Sequence, residues 1–354
     1  MNRKPRILIS PLNWGLGHAT RCIPIIDTLI ELGAEVFLAS DGRALALLEK
    51  EYPDLVAFPL PGYNVRYEGT GMIWNVAKQL PKISRAILAE RKAINKIVKK
   101  EKIEIIISDN RYGCRNKQTK NIFITHQINI AIPNRRLEII TNKINYHFIN
   151  LFDECWIPDF EGTQSLAGKL SETKADHLYI GPLSRFEFKE SKKEYDLIAV
   201  LSGPEPQRSI LEEKIIGQLK NLDIKTLIVQ GKTEKKEEVD ITKNIRMVSF
   251  LTSRDLNAAI LKSDIVLARS GYSTIMDLAA LRKKAILIPT PGQTEQEYLA
   301  ERLSAKQLFY HQKQEDFDLK SALKESEKFL GFEALNLKQN LLQKALHALC
   351  NIQS

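Results

Sequence analysis

Chemistry-bearing residues concentrate in three short stretches of the chain. The first is Asn13-Trp14-Gly15-Leu16-Gly17-His18-Ala19-Thr20-Arg21, between a strand-like run and a helical one. Gly15 and Gly17 let backbone amides approach a ligand, and the helix start beyond them favours negative charge. The spacing is neither GxGxxG nor a Walker loop, since no Gly-Lys-Ser/Thr follows. His18 stands at a strand's C-terminal end, where open α/β sheets bind ligands. Its imidazole titrates near neutrality, which suits a general base. The same residues also make a glycine turn with a histidine capping the helix. The second stretch, Ala268-Arg269-Ser270-Gly271-Tyr272-Ser273-Thr274, again joins a strand to a helix. Serine and glycine at a helix start suit a pyrophosphate, with Ser270 adding a hydroxyl. Asp277, six residues after Gly271, could accept from ribose hydroxyls or simply complement the helix dipole. Third is Pro289-Thr290-Pro291-Gly292-Gln293-Thr294-Glu295-Gln296-Glu297, whose amides and carboxylates could read sugar hydroxyls or form an ordinary loop.

A rival base is Asp109, at the end of the apolar run Ile103–Ser108. The cluster Asp109-Asn110-Arg111-Tyr112 reads as acceptor-binding polar groups or as a turn. The single Asp-x-Asp, Asp316-Phe317-Asp318, lies past the third stretch and reads as a solvated loop or a helix start rather than a metal site. Charge on a leaving group would then fall on amides, the helix dipole and Arg269, an electrostatic device that needs no metal. Arg269 could equally pack or pair structurally.

Strands alternate with helices to position these groups. Arg6–Ser10, Val36–Ala39, Ile103–Ser108, Ile122–Thr125 and Cys155–Ile157 are short apolar runs separated by helical stretches, the pattern of a parallel sheet. A helix is expected from about Thr20 to Leu32, stopped by Gly33. After Gly181-Pro182 the pattern pauses. It resumes with strands at Asp196–Leu201, Thr226–Val229, Arg246–Val248, Ile265–Ala268 and Ala285–Ile288. The fold class is therefore α/β, with two doubly wound Rossmann-like domains facing a cleft. We divide the chain into a first domain over 1–182, a linker over 183–194, a second domain over 195–330 and a C-terminal helix over 331–354.

The 354 residues suit two domains, and a hydrophobic share of 44% is normal for packed globular protein. There is no apolar run of about 20 residues and no signal-peptide pattern, and four scattered cysteines without a CxxC pair fit a reduced cytoplasm. Net charge is +9, and Trp74–Lys102 holds nine Lys or Arg against two Glu, a local +7. That segment reads as a helix packed on its domain with a lysine-rich outer face, or as a peripheral contact with an anionic membrane. No nucleic-acid-binding signature accompanies the charge.

Taken together, the three stretches resemble glycosyltransferase family 28, particularly its peptidoglycan UDP-N-acetylglucosaminyltransferase branch. The segment IVLARSGYSTIMDLAALRKKAILIPTPGQTEQEYLAERL carries most of the likeness. The resemblance implies the glycosyltransferase B fold and an inverting, metal-independent transfer from a UDP-sugar, with no cofactor beyond that donor substrate. The second domain would bind donor. Ser270 and Gly271 would hold the pyrophosphate and Asp277 the ribose, with Thr274 also counted as donor-binding. Glu295 and Gln296 would meet the sugar, Phe250-Leu251 would edge the base, and Ser202-Gly203 would stand in the phosphate loop. The first domain would bind a glycan, lipid-linked or other acceptor through Gly15, Gly17, His126, Gln127 and Asn129, beside the Asn110 and Arg111 read above as acceptor-binding or a turn. The sequence departs from the family pattern at Asp277 and Gln127, where Glu is usual, and at the proline-bearing loop Ser202-Gly203-Pro204-Glu205-Pro206. Two other readings share these residues. One is a nucleotide-sugar hydrolase, suggested by GLGHATRC, and the other a non-catalytic nucleotide-sugar-binding subunit.

Overall fold

The computed structural model describes residues 4–63, 72–232, 237–332 and 340–351, with side chains in the helix that begins at Met72 described from Lys82 onward. The chain forms two compact units, Met1–Ser184 together with Gln339–Ser354, and Arg185–Lys338.

In the first unit seven strands form one parallel sheet: β1 (Arg6–Pro11), β2 (Glu35–Ser40), β3 (Val56–Pro59), β4 (Ile105–Asp109), β5 (Lys120–Ile124), β6 (Glu154–Ile157) and β7 (Leu178–Tyr179). Their order is β3-β2-β1-β4-β5-β6-β7. Strands covered on both faces read as continuous apolar runs, which is why β1, β2, β4, β5 and β6 are visible in the sequence. The strand order reverses between β1 and β4, so the loops leaving these two strands flank a topological switch point. Helices α1 (Gly17–Glu31), α2 (Gly42–Glu51), α3 (Met72–Glu101) and α4 (Arg135–Ile149) connect the strands. Ile94, Ile97 and Val98 of α3 pack against Leu8, Phe37 and Ile106, while Lys92, Lys96 and Lys99 face solvent. Each such buried aliphatic stabilises by about 1.5–3 kcal/mol. This part of the basic segment is thus a packed helix with a lysine-rich outer face.

The second unit repeats the plan with β8 (Tyr195–Val200), β9 (Thr226–Val229), β10 (Glu238–Thr242), β11 (Ile245–Val248), β12 (Ser263–Ala268), β13 (Lys284–Leu287) and β14 (Tyr310–His311), in the order β10-β11-β9-β8-β12-β13-β14. All its pairings are parallel except β10 with β11. Here the reversal lies between β8 and β12. Helices α5 (Gln207–Leu219), α6 (Ser253–Leu261), α7 (Tyr272–Ala280), α8 (Thr294–Ala305) and α9 (Leu319–Ser326) complete the unit. The last helix, α10 (Leu341–Asn351), groups with the first unit rather than standing apart, burying Ala345, Leu346 and Leu349.

Candidate functional site

In the first unit, α1 begins at Gly17 with Leu16 as N-cap and without a capping side-chain hydrogen bond. His18 therefore does not cap the helix. Its Nδ1 lies 2.8 Å from Oδ1 of Asp109, the last residue of β4. The two sequence-derived candidates for the base are thus partners rather than rivals. One helical turn beyond His18, on the same face, Arg21 grips both Asp109 carboxylate oxygens through Nε and Nη2. Cys22 Sγ adds a weak contact at 3.8 Å. Asp109 and Arg21 are fully buried, whereas His18 keeps 17% of its side chain exposed.

Burial opposes ionisation of Asp109, but Arg21 and His18 outweigh it and hold the carboxyl below the usual carboxylate range. An ionised carboxylate only accepts, so His18 donates from Nδ1 and its lone pair sits on Nε2. Burial lowers the His18 pKa; Asp109 counters this and Arg21 reinforces it. The result is a neutral imidazole with a fixed tautomer, able to take a proton.

The other acceptor-side candidates separate. Gly15, with φ 81°, lets the chain turn into α1. Asn110 follows Asp109 in the left-handed region, φ 56°, half-buried beside the dyad. His126 is buried, with Nδ1 3.1 Å from Arg21 Nη1. Gln127 is half-buried next to it, with its amide bonded to Thr125 Oγ1 at 3.1 Å. Arg111 is committed elsewhere. Its guanidinium is buried against Glu90 at 2.5 Å, Asp41 at 2.6 Å and Pro61 O at 2.8 Å, so it braces the unit instead of facing a substrate. Asn129 is likewise engaged, donating to Lys169 O and Glu172 O and accepting from Tyr146 Oη. The residue that joins Asp109 to His126 and that sequence reasoning left unassigned is Arg21. Its signal was the three-residue spacing from His18.

In the second unit, Ser202 and Gly203 leave β8 and are exposed, and Arg269, Ser270 and Gly271 leave β12, so both loops flank the switch point. Gly271 is the N-cap of α7 in extended conformation, φ −67° and ψ 143°, and contributes no side chain. The free amides of a helix start are an arrangement that favours an anion. Thr274 and Asp277 are half-buried on α7. Phe250 and Leu251, following β11, are half-buried, as is Glu295 in the first turn of α8.

Arg269 spends both terminal nitrogens of its guanidinium on protein oxygens, while its buried Nε has no hydrogen-bond partner among the described residues. Its guanidinium is buried and donates to Ile288 O, Pro289 O, Gln207 O and Gln314 Oε1, tying together the loops after β12 and β13 and the start of α5. Burial pulls its pKa down to about 10. Ser270 Oγ donates to Gln296 O at 2.7 Å, and Gln296 uses its own side chain to accept from Thr290 N and donate to Gln293. These residues shape the loops around the α7 start. Asp318 of the Asp-x-Asp accepts from Ser321 N as the N-cap of α9, and Phe317 is buried core.

Residues 198–348 match the glycosyltransferase family 28 C-terminal domain. An uncharacterized glycosyltransferase of Methanosarcina mazei is 24% identical over 316 residues, 82% of this chain and 81% of the relative. A UDP-N-acetylglucosamine--N-acetylmuramyl-(pentapeptide) pyrophosphoryl-undecaprenol N-acetylglucosamine transferase of Clostridium perfringens is 24% identical over 298 residues, 77% of this chain and 75% of the relative. Among solved structures, the glycotransferase of kitacinnamycin superposes with a TM-score of 0.70 at 14% identity, covering 99% of both chains. Two doubly wound units, each with its loops at a switch point, and these likenesses define the class: the chain is a glycosyltransferase with the glycosyltransferase B fold. More narrowly, residues 198–348 carry a glycosyltransferase family 28 C-terminal domain.

Proposed function

We propose that this glycosyltransferase moves a sugar, with inversion and without a metal ion, from a UDP-sugar to a hydroxyl of a glycan or lipid-linked acceptor. The observation that carries the reading is the His18–Asp109 pair at the end of β4, held as a neutral imidazole over a carboxylate. His18 Nε2 takes the acceptor hydroxyl proton as that oxygen bonds to the sugar's anomeric carbon. The bond from that carbon to the phosphate oxygen breaks, and UDP leaves with the electron pair. Asp109 stabilises the imidazolium that forms.

Donor binding by the second unit is supported by its family 28 domain and by the exposed Ser202-Gly203 loop beside the α7 start. Charge developing on UDP would be met by the α7 amides, with Arg269 keeping those loops in place. A UDP-linked N-acetylglucosamine donor is favoured by the name of the Clostridium relative.

For the acceptor, the favoured class is lipid-linked. Helix α4 leaves Ile139, Ile140 and Ile144 about half exposed, interspersed with exposed Arg135, Arg136 and Lys143, a mixed apolar and cationic face suited to an anionic bilayer surface. The opposite side of α4 is stapled to the loop after β5. Asn145 Nδ2 donates to Gln127 O and to Ile128 O, both at 3.0 Å. Peripheral contact at the inner face of the membrane would then present an acceptor near His126. No helix among the described residues is long and apolar enough to cross a membrane.

The test is a binding screen of nucleotide sugars in chelator, followed by mass analysis of products formed with lipid and glycan extracts. UDP-sugar binding in chelator and a glycosylated lipid are expected. Complete dependence on magnesium or manganese contradicts the metal-free step. Rapid UDP release that acceptor does not accelerate points to hydrolysis instead.

A further inference from the structure

Arg21 joins two histidines that lie on different elements. His18 reaches it through Asp109, at the end of β4, and His126 meets it directly, two residues after β5. A guanidinium has five N–H donors and no acceptor. Nη1 of Arg21, 3.1 Å from His126 Nδ1, must therefore be the donor, and His126 Nδ1 must carry a lone pair. That leaves the proton of His126 on Nε2. The same guanidinium gives Nε and Nη2 to Asp109, which keeps the carboxylate an acceptor and the proton of His18 on Nδ1.

We propose that Arg21 is a positioning residue that writes opposite tautomers onto the two histidines, leaving His18 with a basic Nε2 and His126 with a donating Nε2–H. One ring can then take a proton while the other supplies a hydrogen bond, and neither can exchange roles while Arg21 stays in place. The groups facing His18 are Asp109 from β4, Arg21 from α1 and His126 from the loop after β5, with Cys22 behind the carboxylate. Arg21 is the one fixed positive charge among them, and it is fully buried, so solvent screens it little. Lysine cannot replace it, because one ammonium cannot span both carboxylate oxygens and the His126 ring in a planar fork.

The inference rests on the proposed role of His18 as base, but its test does not need activity. Long-range nitrogen–proton NMR of histidine side chains in the whole protein reads tautomers directly. The wild type is expected to show His18 protonated at Nδ1 and His126 at Nε2 near pH 7. In Arg21→Met, His18 should take its second proton at higher pH than in the wild type, beside an Asp109 carboxylate no longer shared, and His126 should lose its single tautomer. The acid limb of the turnover profile should move to higher pH, because a cation that disfavoured His18 protonation is gone, and turnover should recover at alkaline pH. Arg21→Lys, which retains the charge, should lose the His126 tautomer while moving the acid limb less. If Arg21→Met does not fold, the wild-type and Arg21→Lys spectra decide. Histidine spectra in a folded variant that match the wild type, or wild-type tautomers opposite to those stated, overturn the proposal. Normal turnover in His18→Asn would instead overturn the base assignment while leaving the tautomer result standing.

Discussion

Replacing Asp109 with Asn should separate into two effects that have different sizes and different remedies. The carboxylate and the Arg21 guanidinium are both essentially removed from solvent. Neutralising one partner of such a pair leaves a buried charge uncompensated, which costs about 3–5 kcal/mol. The change also frees the His18 ring to adopt the wrong tautomer, and losing a positioned base lowers turnover by about 10²–10⁴-fold. Denaturant unfolding followed by tryptophan fluorescence isolates the first effect, because all three tryptophans (Trp14, Trp74 and Trp156) belong to the first unit. Asp109→Asn should unfold at lower denaturant than wild type. Combining Asp109→Leu with Arg21→Met removes both charges and should recover most of the stability, since apolar replacement of a buried pair is often neutral or stabilising. Turnover should stay low in that double variant. The pH dependence has a fixed sign. The Asp109 pKa is depressed on folding, so its contribution is present above the ordinary value of about 3.9 and is lost only as pH falls through the lower folded value. Wild-type unfolding midpoint and turnover in Asp109→Asn would refute the reasoning.

Three further outcomes follow from the same geometry. Arg269→Gln should weaken UDP-sugar binding in calorimetry although Arg269 itself is bonded to the loops, and unchanged affinity would leave it a packing residue only. Asp277→Ala should lose more UDP-sugar affinity than Asp277→Glu, whereas equal and negligible losses would make Asp277 a helix-dipole charge. Ile140→Asp with Ile144→Asp should abolish sedimentation with anionic vesicles at low salt, while charge reversal at Lys92, Lys96 and Lys99 should have the smaller effect; the opposite ranking would move the membrane contact to α3.

The central strands were legible because a buried parallel strand leaves an uninterrupted apolar run, as in Arg6–Ser10 and Ile103–Ser108. The edges were not. β10 pairs antiparallel at the sheet margin and is mostly exposed, so Glu238–Thr242 shows no apolar run, while β7 and β14 have two residues each. The separate C-terminal helix was misplaced for a different reason: an apolar face announces burial but not the surface that covers it, here the first unit. In the site, residue types and loop positions pointed to His18 and Asp109, but their contact crosses 91 residues and has no local trace. Arg111 and Arg269 looked like ligand-binding cations because sequence shows charge without showing partners. Each proved to be a buried brace, Arg111 on Glu90 and Asp41 and Arg269 on four oxygens of neighbouring loops. Of the basic segment, the side chains of residues 74–81 lie outside the described residues.

The most direct measurement is the turnover of His18→Asn set against its donor affinity. Asparagine keeps a polar side chain of similar reach at the start of α1 but cannot accept a proton near neutrality. If His18 is the base, sugar transfer should fall by about 10²–10⁴-fold. UDP-sugar affinity should hold, because the loops proposed to hold the donor belong to the second unit. In the wild type, the acid limb of kcat/KM should lie below the ordinary imidazole value of about 6.5, since burial lowers the His18 pKa, and this limb should vanish in the variant. Near-normal transfer by His18→Asn, with the acid limb still in place, would contradict the account.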